Sequence, residues 1–490
     1  MSTGRHDSQL TLGTKAVYGT GQFVDAVSNG VLSTFLLFYL NQVCGLPGAL
    51  AGASLFLALF VDAFIDPLMG SISDNTMSTW GRRHGFMILS IAPIVLGLGL
   101  LFSIPKGLGT TTLFIYATMA ALLLRIGLSG YIVPYIALGA ELTDNYVERS
   151  AVVGWRMFFS VFASLTPIIL GYSVFLSGTN LYNRAAYVPF GWTCAAIMGF
   201  LGAVAAFGTL SARDRLHKAT PGVDHPLRRL FNEVVEVFKN PSFRLLFSSV
   251  LIFFVAQGTA TALGLHGSKF FWKLTVGEIQ LLAIALLVGV MAGIPLTALL
   301  GAHVEKKTMV IWSLVYIVVT QAGWPILRII GVLPPGAATI IVLTANSFFA
   351  GIAITFLTVG FQSMMADAAD EHELLFGARR EGLYFAGLSF STKAASGLGG
   401  FIAGLALDAI SFPADLAAKG GDKAHLALST VNDLGFVYGI VPAAMTCACI
   451  VFTMFYRIDR KAHASIQADL IVRRAEVRTE VIVTLSQPEN

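Results

Sequence analysis

The feature that constrains this chain most is a repeated one. About twelve apolar stretches, each of 20 residues or more, follow one another with short polar connections: 13–42, 47–73, 85–104, 111–139, 151–176, 189–211, 243–271, 275–302, 307–331, 336–366, 381–411 and 432–456. A helix needs about 20 apolar residues to cross the hydrocarbon core of a bilayer. Inside that core every backbone polar group must be satisfied within the segment or a closed barrel. Barrel strands alternate in polarity over about 10 residues, whereas these runs are longer and continuous. Only 12% of the 490 residues are charged, against about 25% in a soluble domain. The 49 glycines suit close approach between membrane helices. The sequence therefore predicts an all-α membrane protein of about twelve transmembrane helices.

The longest polar interruption, 211–244, divides the stretches six and six. This gives an N-terminal bundle over 1–211, a central cytoplasmic loop over 212–242, a C-terminal bundle over 243–456 and a cytoplasmic tail over 457–490. Within the loop, "PLRRLFNEVVEVFKN" carries Leu230, Val234, Val235 and Phe238 at helical spacing, the pattern of a basic amphipathic helix on a membrane surface. The tail reads as a short surface helix or as disorder. With both termini on one side, that side receives 23 lysines and arginines and the other seven. The positive-inside rule then makes the termini cytoplasmic. No cleavable signal precedes the first helix, so a cell-membrane location, the inner membrane of a bacterium, is expected.

The halves echo each other. After the second stretch comes "GSISD", then "GRR"; after the eighth comes "GAHVE", then Lys306 and Lys307. After the fourth come Glu141, Asp144 and Arg149; after the tenth come Asp367, Asp370, Arg379 and Arg380. The common offset suggests a parallel six-helix repeat, two pseudo-symmetric bundles as in major facilitator transporters.

An ionisable side chain at the bilayer centre costs about 3 kcal/mol, so it usually lines a cavity and has a partner. Asp62 and Asp66 stand at i and i+4, on one face of the second helix. Two like charges there require protonation, a basic partner or a bound cation, and oxygen ligands suit a hard ion such as Na⁺. The pair reads as a site for a coupling ion or proton. Lys393, flanked by Ser389, Thr392 and Ser396, is a candidate partner: either a switch that a bound cation displaces or a structural ion pair. Arg125 is open between binding an anionic substrate, pairing with Asp25 and stabilising the bundle. Gln22, Asp25 and Asn29 form one polar stripe, suited to a hydroxyl-rich solute in a wet cavity. Tyr131, Tyr135 and Trp155 offer aromatic faces. Gly70, Asp74, Gly81, Arg82 and Arg83 form a tight cytoplasmic turn in which Asp74 can pair with Arg82 or Arg83. Together with Glu141, Asp144, Arg149, Asp367, Asp370, Arg379 and Arg380 they read as a cytoplasmic latch.

Other function classes drop out. The net charge is +4, but the basic residues sit at helix ends and form no aromatic-interleaved patch, so no nucleic-acid partner is expected. Cys44, Cys194, Cys447 and Cys449 show neither disulfide nor metal spacing. No G-x-S-x-G, H-E-x-x-H or P-loop motif is present. The chain is therefore not expected to be an enzyme or to carry a cofactor, and its energy source should be an ion gradient.

"DAFIDPLMGSISDNTMSTWGRR", "VPYIALGAELTDNYVERSAVVGWR" and "MMADAADEHELLFGARREGLYFAGLSFSTKAASGLGG" resemble the glycoside–pentoside–hexuronide:cation symporter family, whose best-known type is melibiose permease. The start, "TKAVYGTGQFVDAVSNGVLSTFLLFYLNQVCGL", fits as well. The resemblance implies that Asp62 and Asp66 bind Na⁺, Li⁺ or H⁺, that Lys393 lies near them, and that Arg156 serves the sugar site. It also marks departures. A Na⁺-ligating asparagine falls on Ile65 and an assisting threonine on Gly130, which raises the case for H⁺. The family's sugar-binding aspartates fall on Ala26, one residue from Asp25, and on Val133, and a tryptophan falls on Ala137. A galactoside site is thus not reproduced.

The implied function is cation-coupled symport of a sugar or glycoside by alternating access, in a monomer, with the solute, the coupling cation and the lipid bilayer as its only partners. The alternatives are cation-coupled transport of an amphipathic organic anion or lysolipid-like solute, and a non-transporting membrane sensor.

Overall fold

The computed structural model describes residues 10–76, 81–143, 145–211, 236–301, 303–334, 336–377, 381–421 and 426–486, without the side chains of 74–75, 146–147 and 475–486. The helices are α1 (12–43), α2 (Gly48–Asn75), α3 (His84–Leu101), α4 (Thr110–Glu141), α5 (146–175), α6 (Arg184–Gly208), α7 (Pro241–Phe271), α8 (Val276–Gly301), α9 (Lys306–Ile329), α10 (Ala337–Phe376), α11 (Glu381–Ala409), α12 (Leu428–Met454) and α13 (Arg460–Ser486). Among the described residues there is no strand.

Ten of the first twelve are long and apolar enough to cross a membrane. The other two have local reasons to fall short of such a measure. The first, α1, is two α segments meeting at Gly21, followed by π turns at Leu32–Leu36 and Tyr39–Val43. The second, α11, carries Ser389, Thr392, Lys393 and Ser396 in its middle. With them the count is twelve.

The two halves use the same five helix pairings. In the first, α1 packs on α5 and α6, α3 on α6, and α4 on both α2 and α3. In the second, α7 packs on α11 and α12, α9 on α12, and α10 on both α8 and α9. Adding six to each helix number converts one list into the other, which is the packing signature of a parallel repeat. Across the halves, α2 packs along α11 and α5 packs against α8, again a pseudo-twofold pair. This is the major facilitator architecture.

The bundles meet unevenly. One end carries Arg82, Arg83, Lys306 and Lys307 and is called here the basic end. At the far end a single apolar core runs through the first bundle and takes in Leu265 and Phe271 of α7, Leu407 of α11 and Leu434 of α12. The basic half of the second bundle has a separate core around Phe243, Phe361, Met365 and Tyr384. Several hydrogen bonds between the bundles fall at the far end. The Asp415 amide donates to the Asn41 carbonyl (3.1 Å) and the Ala417 amide to that of Gln42 (3.2 Å). Gln42 donates to the Pro413 carbonyl (3.2 Å), and Ser173 Oγ to Gln280 Oε1 (2.8 Å).

Two sequence expectations change, and a third lies mostly outside the described residues. The tenth stretch was expected to end at 366, but α10 continues to Phe376. Hydropathy stops at the membrane surface, whereas alanine, leucine and glutamate in "ADAADEHELLF" keep the helix favourable. The tail forms a helix, α13, that lies on this extension: Arg474 forks onto Glu373 (2.6 and 2.9 Å), and Gln467 donates to Asp370 (2.7 Å). Leu230, Val234 and Val235 of the expected surface helix lie outside the described residues, while Phe238 packs edge-on against Phe243 and Phe247.

Candidate functional site

A cavity of about 730 Å³ lies between the bundles, lined by α1, α2, α4, α7 and α11. Its volume is that of a small-molecule site. Asp62 and Asp66 reach it from the same face of α2, as their i, i+4 spacing requires. Lys393 comes from α11 of the other bundle and joins them. Its Nζ lies 3.2 Å from Asp62 Oδ2 and forms an ion pair with Asp66 Oδ2. This three-residue contact ties α2 to α11 midway along their shared seam.

The surroundings of Asp62 were partly hidden in the sequence. Ser129 Oγ donates to Asp62 Oδ1 at 2.7 Å, and Arg125 Nη1 stands 3.8 Å from Asp62 Oδ2. Ser129 was not anticipated. Its signal was available, because it lies one turn from Arg125 on α4 and so shares that residue's face. On the opposite wall Asp25 is held by its own helix: Gln22 Nε2 donates to Oδ2 (3.0 Å) and Asn29 Nδ2 to Oδ1 (2.8 Å). Asp25 and Asn29 line the cavity, while Gln22 acts only through Asp25. Ser389, Thr392 and Ser396 line the second-bundle wall with Gln257 and Thr261. Among the described lining residues, three carboxylates (Asp25, Asp62, Asp66) face two bases (Arg125, Lys393). With all five ionised, the site would carry one unbalanced negative charge.

Tyr131 and Arg156 were candidates for substrate contact, yet neither lines this cavity. Tyr131 is fully buried. Its ring stacks with Tyr135, and its hydroxyl donates to the Gly202 carbonyl on α6 at 2.9 Å. The close approach of α6 at Gly202 captures it inside the first bundle. Arg156 is turned toward the Tyr18 and Tyr135 hydroxyls. Phe254 is the only aromatic among the described lining residues.

At the basic end, Arg82 and Arg83 both pair with Glu141 (2.6 and 2.8 Å), and Arg83 Nη1 donates to Ser73 Oγ (2.8 Å). In the second bundle Lys306 pairs with Asp367 (2.8 Å) at the equivalent place. Both clamps join the start of a bundle's third helix, or the residues just before it, to the basic-end part of its fourth, within one bundle. Asp370 contacts Gln467 and His463 of α13. Arg149 donates to the Ala140 carbonyl (3.3 Å). Gly70 lies inside α2 rather than in the turn, and Gly81 lies between α2 and α3 with φ of 92°. Asp144, Arg379 and Arg380, and the side chain of Asp74, lie outside the described residues.

The two clamps predict a contrast in stability. Glu141→Ala strands two mostly buried guanidinium groups and should cost about 3 kcal/mol. Asp367→Ala frees a lysine that is 44% exposed and should cost about 1 kcal/mol or less. Thermal unfolding of the two purified variants checks the order.

Comparison with known proteins places this geometry. A family model described as "MFS/sugar transport protein" matches residues 17–460. The isoprimeverose transporter of Lactiplantibacillus pentosus is 23% identical, over 96% of this chain and 94% of that protein. The glucuronide carrier protein homolog of Escherichia coli (strain K12) is 24% identical, over 97% and 99%. Among solved structures, a mutant of the nucleoside transporter NupG superposes with a TM-score of 0.66 at 12% identity, covering 91% of this chain and 100% of that one. At that identity the likeness concerns the fold.

Proposed function

The chain belongs to the MFS/sugar transport protein family, of the glycoside–pentoside–hexuronide symporter type, and from that premise we propose that it carries a neutral sugar or glycoside together with one monovalent cation by alternating access. A multi-pass membrane transporter, not an enzyme, is what the family and its named relatives are. The observation that carries the finer reading is the Asp62–Asp66–Lys393 contact between the bundles. It unites the coupling groups with the solute cavity and with the seam that must move. One excess negative charge calls for one cation and leaves no net positive charge for an anionic solute. That arithmetic favours a neutral cargo over the amphipathic anion that Arg125 would otherwise suit, because Arg125 is already committed to Asp62.

The apolar wall formed by Leu32, Leu36, Leu55, Leu59 and Ile132 favours a glycoside with an apolar aglycone. One chain encloses the whole cavity, which supports function as a monomer. The basic excess supports a cytoplasmic location for both termini in an inner membrane, so the far-end seal describes an inward-facing state.

A panel of solutes tests the cargo. In vesicles with an imposed inward cation gradient, a neutral glycoside should accumulate, and its analogue bearing a carboxylate at the sugar should accumulate at least tenfold less. Equal accumulation of both would reject the charge argument. A sensor that binds without transporting would accumulate neither.

A further inference from the structure

We infer that Arg125 is a resident counter-ion that makes the coupling ion a proton and keeps sodium out of the Asp62–Asp66 site. The inference rests on the reading of that pair as the coupling site, and it names the ion the pair takes.

Both oxygens of Asp62 have partners, Oδ1 through a hydrogen bond and Oδ2 through charge contacts alone. Oδ1 accepts from Ser129 at 2.7 Å, and Oδ2 lies 3.2 Å from Lys393 Nζ and 3.8 Å from Arg125 Nη1. The two cations differ in freedom. The Lys393 side chain is 34% exposed, on a flexible stem, and can withdraw into the cavity. The Arg125 side chain is 10% exposed at the cavity wall and lies beside Asp62. A guanidinium stays charged at any pH the protein meets. An incoming sodium ion could displace the lysine, but it would still face the guanidinium at short range in a poorly screened interior.

Sodium also needs several oxygen ligands at once. Ile65, beside Asp66 on α2, offers none. A proton needs one atom, and one is waiting: Asp66 Oδ1 is buried and makes no hydrogen bond. Protonating it converts the carboxylate to a neutral acid, releases the Asp66–Lys393 ion pair and leaves Lys393 beside Asp62. The charged groups facing Asp66 are Asp62 on its own helix, Arg125 of α4 and Lys393 of α11, with Asp25 of α1 on the same cavity.

Sodium itself is the probe, so no solute need be known. Thermal unfolding of the purified protein is compared in sodium chloride and in choline chloride at equal ionic strength. The wild-type midpoint should be the same in both. Arg125→Gln removes the resident charge and should acquire a saturable sodium-dependent rise of several degrees, which adding Asp66→Asn abolishes. Arg125→Lys keeps a charge there and should remain insensitive. A merely structural arginine would not create a sodium response when removed. A saturable sodium shift in the wild type overturns the inference. So does a folded Arg125→Gln that ignores sodium. Gradient-driven uptake that survives in Asp66→Asn would overturn the coupling site itself, and the inference with it, so the two failures are distinguishable.

Discussion

Asp66→Asn is expected to abolish accumulation while leaving solute exchange intact. With Asp66 neutral, two carboxylates face two bases in the cavity, and nothing in the site recruits a cation. The solute should then cross only down its own gradient. One charge moving through 100 mV gains about 2.3 kcal/mol, which corresponds to about a 50-fold solute gradient. Vesicles with the wild-type protein should approach that ratio under an imposed potential of 100 mV, and those with Asp66→Asn should stay near unity. Counterflow, which needs no net ion movement, should persist in the variant. Asp62→Asn should lose accumulation as well but fold less well. It removes the charge that Arg125 and Lys393 face, although an asparagine Oδ1 can still accept from Ser129, and breaking a buried pair costs about 3–5 kcal/mol.

Gly404→Val should drive the transporter out of the state with its far end sealed. A Cβ at Gly404 would lie 2.1 Å from the Gly48 carbonyl oxygen, and one at Gly52 would lie 2.8 Å from that of Gly400. The helices α2 and α11 touch backbone to backbone, and no side chain fits between them. The seam is also pinned electrostatically. Asp408 of α11 accepts from the Gly48 and Ala49 amides (2.8 and 2.7 Å), so one bundle caps the first turn of a helix in the other. The proposed alternating access requires this cap to break in every cycle.

Charge-assisted bonds contribute about 1.5–3 kcal/mol each. Losing the pair in Asp408→Ala should shift the equilibrium toward far-end opening by about 10²-fold or more. A cysteine at Thr261 in the cavity, in a background without the four native cysteines, reports this through an impermeant thiol reagent applied from the far side. Labelling should be slow with the wild-type seam and fast in Gly404→Val and Asp408→Ala. Unchanged labelling in both would mean the seam is not the gate.

What the sequence revealed and what it concealed divide along a physical line. Helix number and order followed from hydropathy, because the bilayer forbids other solutions. Asp62 and Asp66 were legible because charge in an apolar helix is costly, and Lys393 because few cations exist to answer them. The clamps at Glu141 and Asp367 were visible as repeated spacings, although their partners, Arg82 and Arg83 in one half and Lys306 in the other, needed coordinates.

The rest depended on azimuth and on neighbours far away in the chain. Tyr131 and Ser129 are two residues apart on α4. One points into α6 and the other at Asp62, and only the packing of α6 at Gly202 and of α2 at Asp62 decides which. Arg125 was open between a substrate, Asp25 and the bundle itself, and its contact with Asp62 follows only from the packing of α2 on α4. The Asp408 cap joins residues about 360 positions apart, a separation no local pattern reports.

The charge carried per solute molecule is the most direct measure of the coupling site. In vesicles holding a fixed potential and a fixed pH on both sides, labelled-solute uptake and current are recorded together for a transported glycoside. A site with one unbalanced negative charge predicts one positive charge inward per neutral solute in the wild type, and neither current nor accumulation in Asp66→Asn. Solute accumulation without accompanying charge, or an unchanged charge ratio in Asp66→Asn, would contradict it.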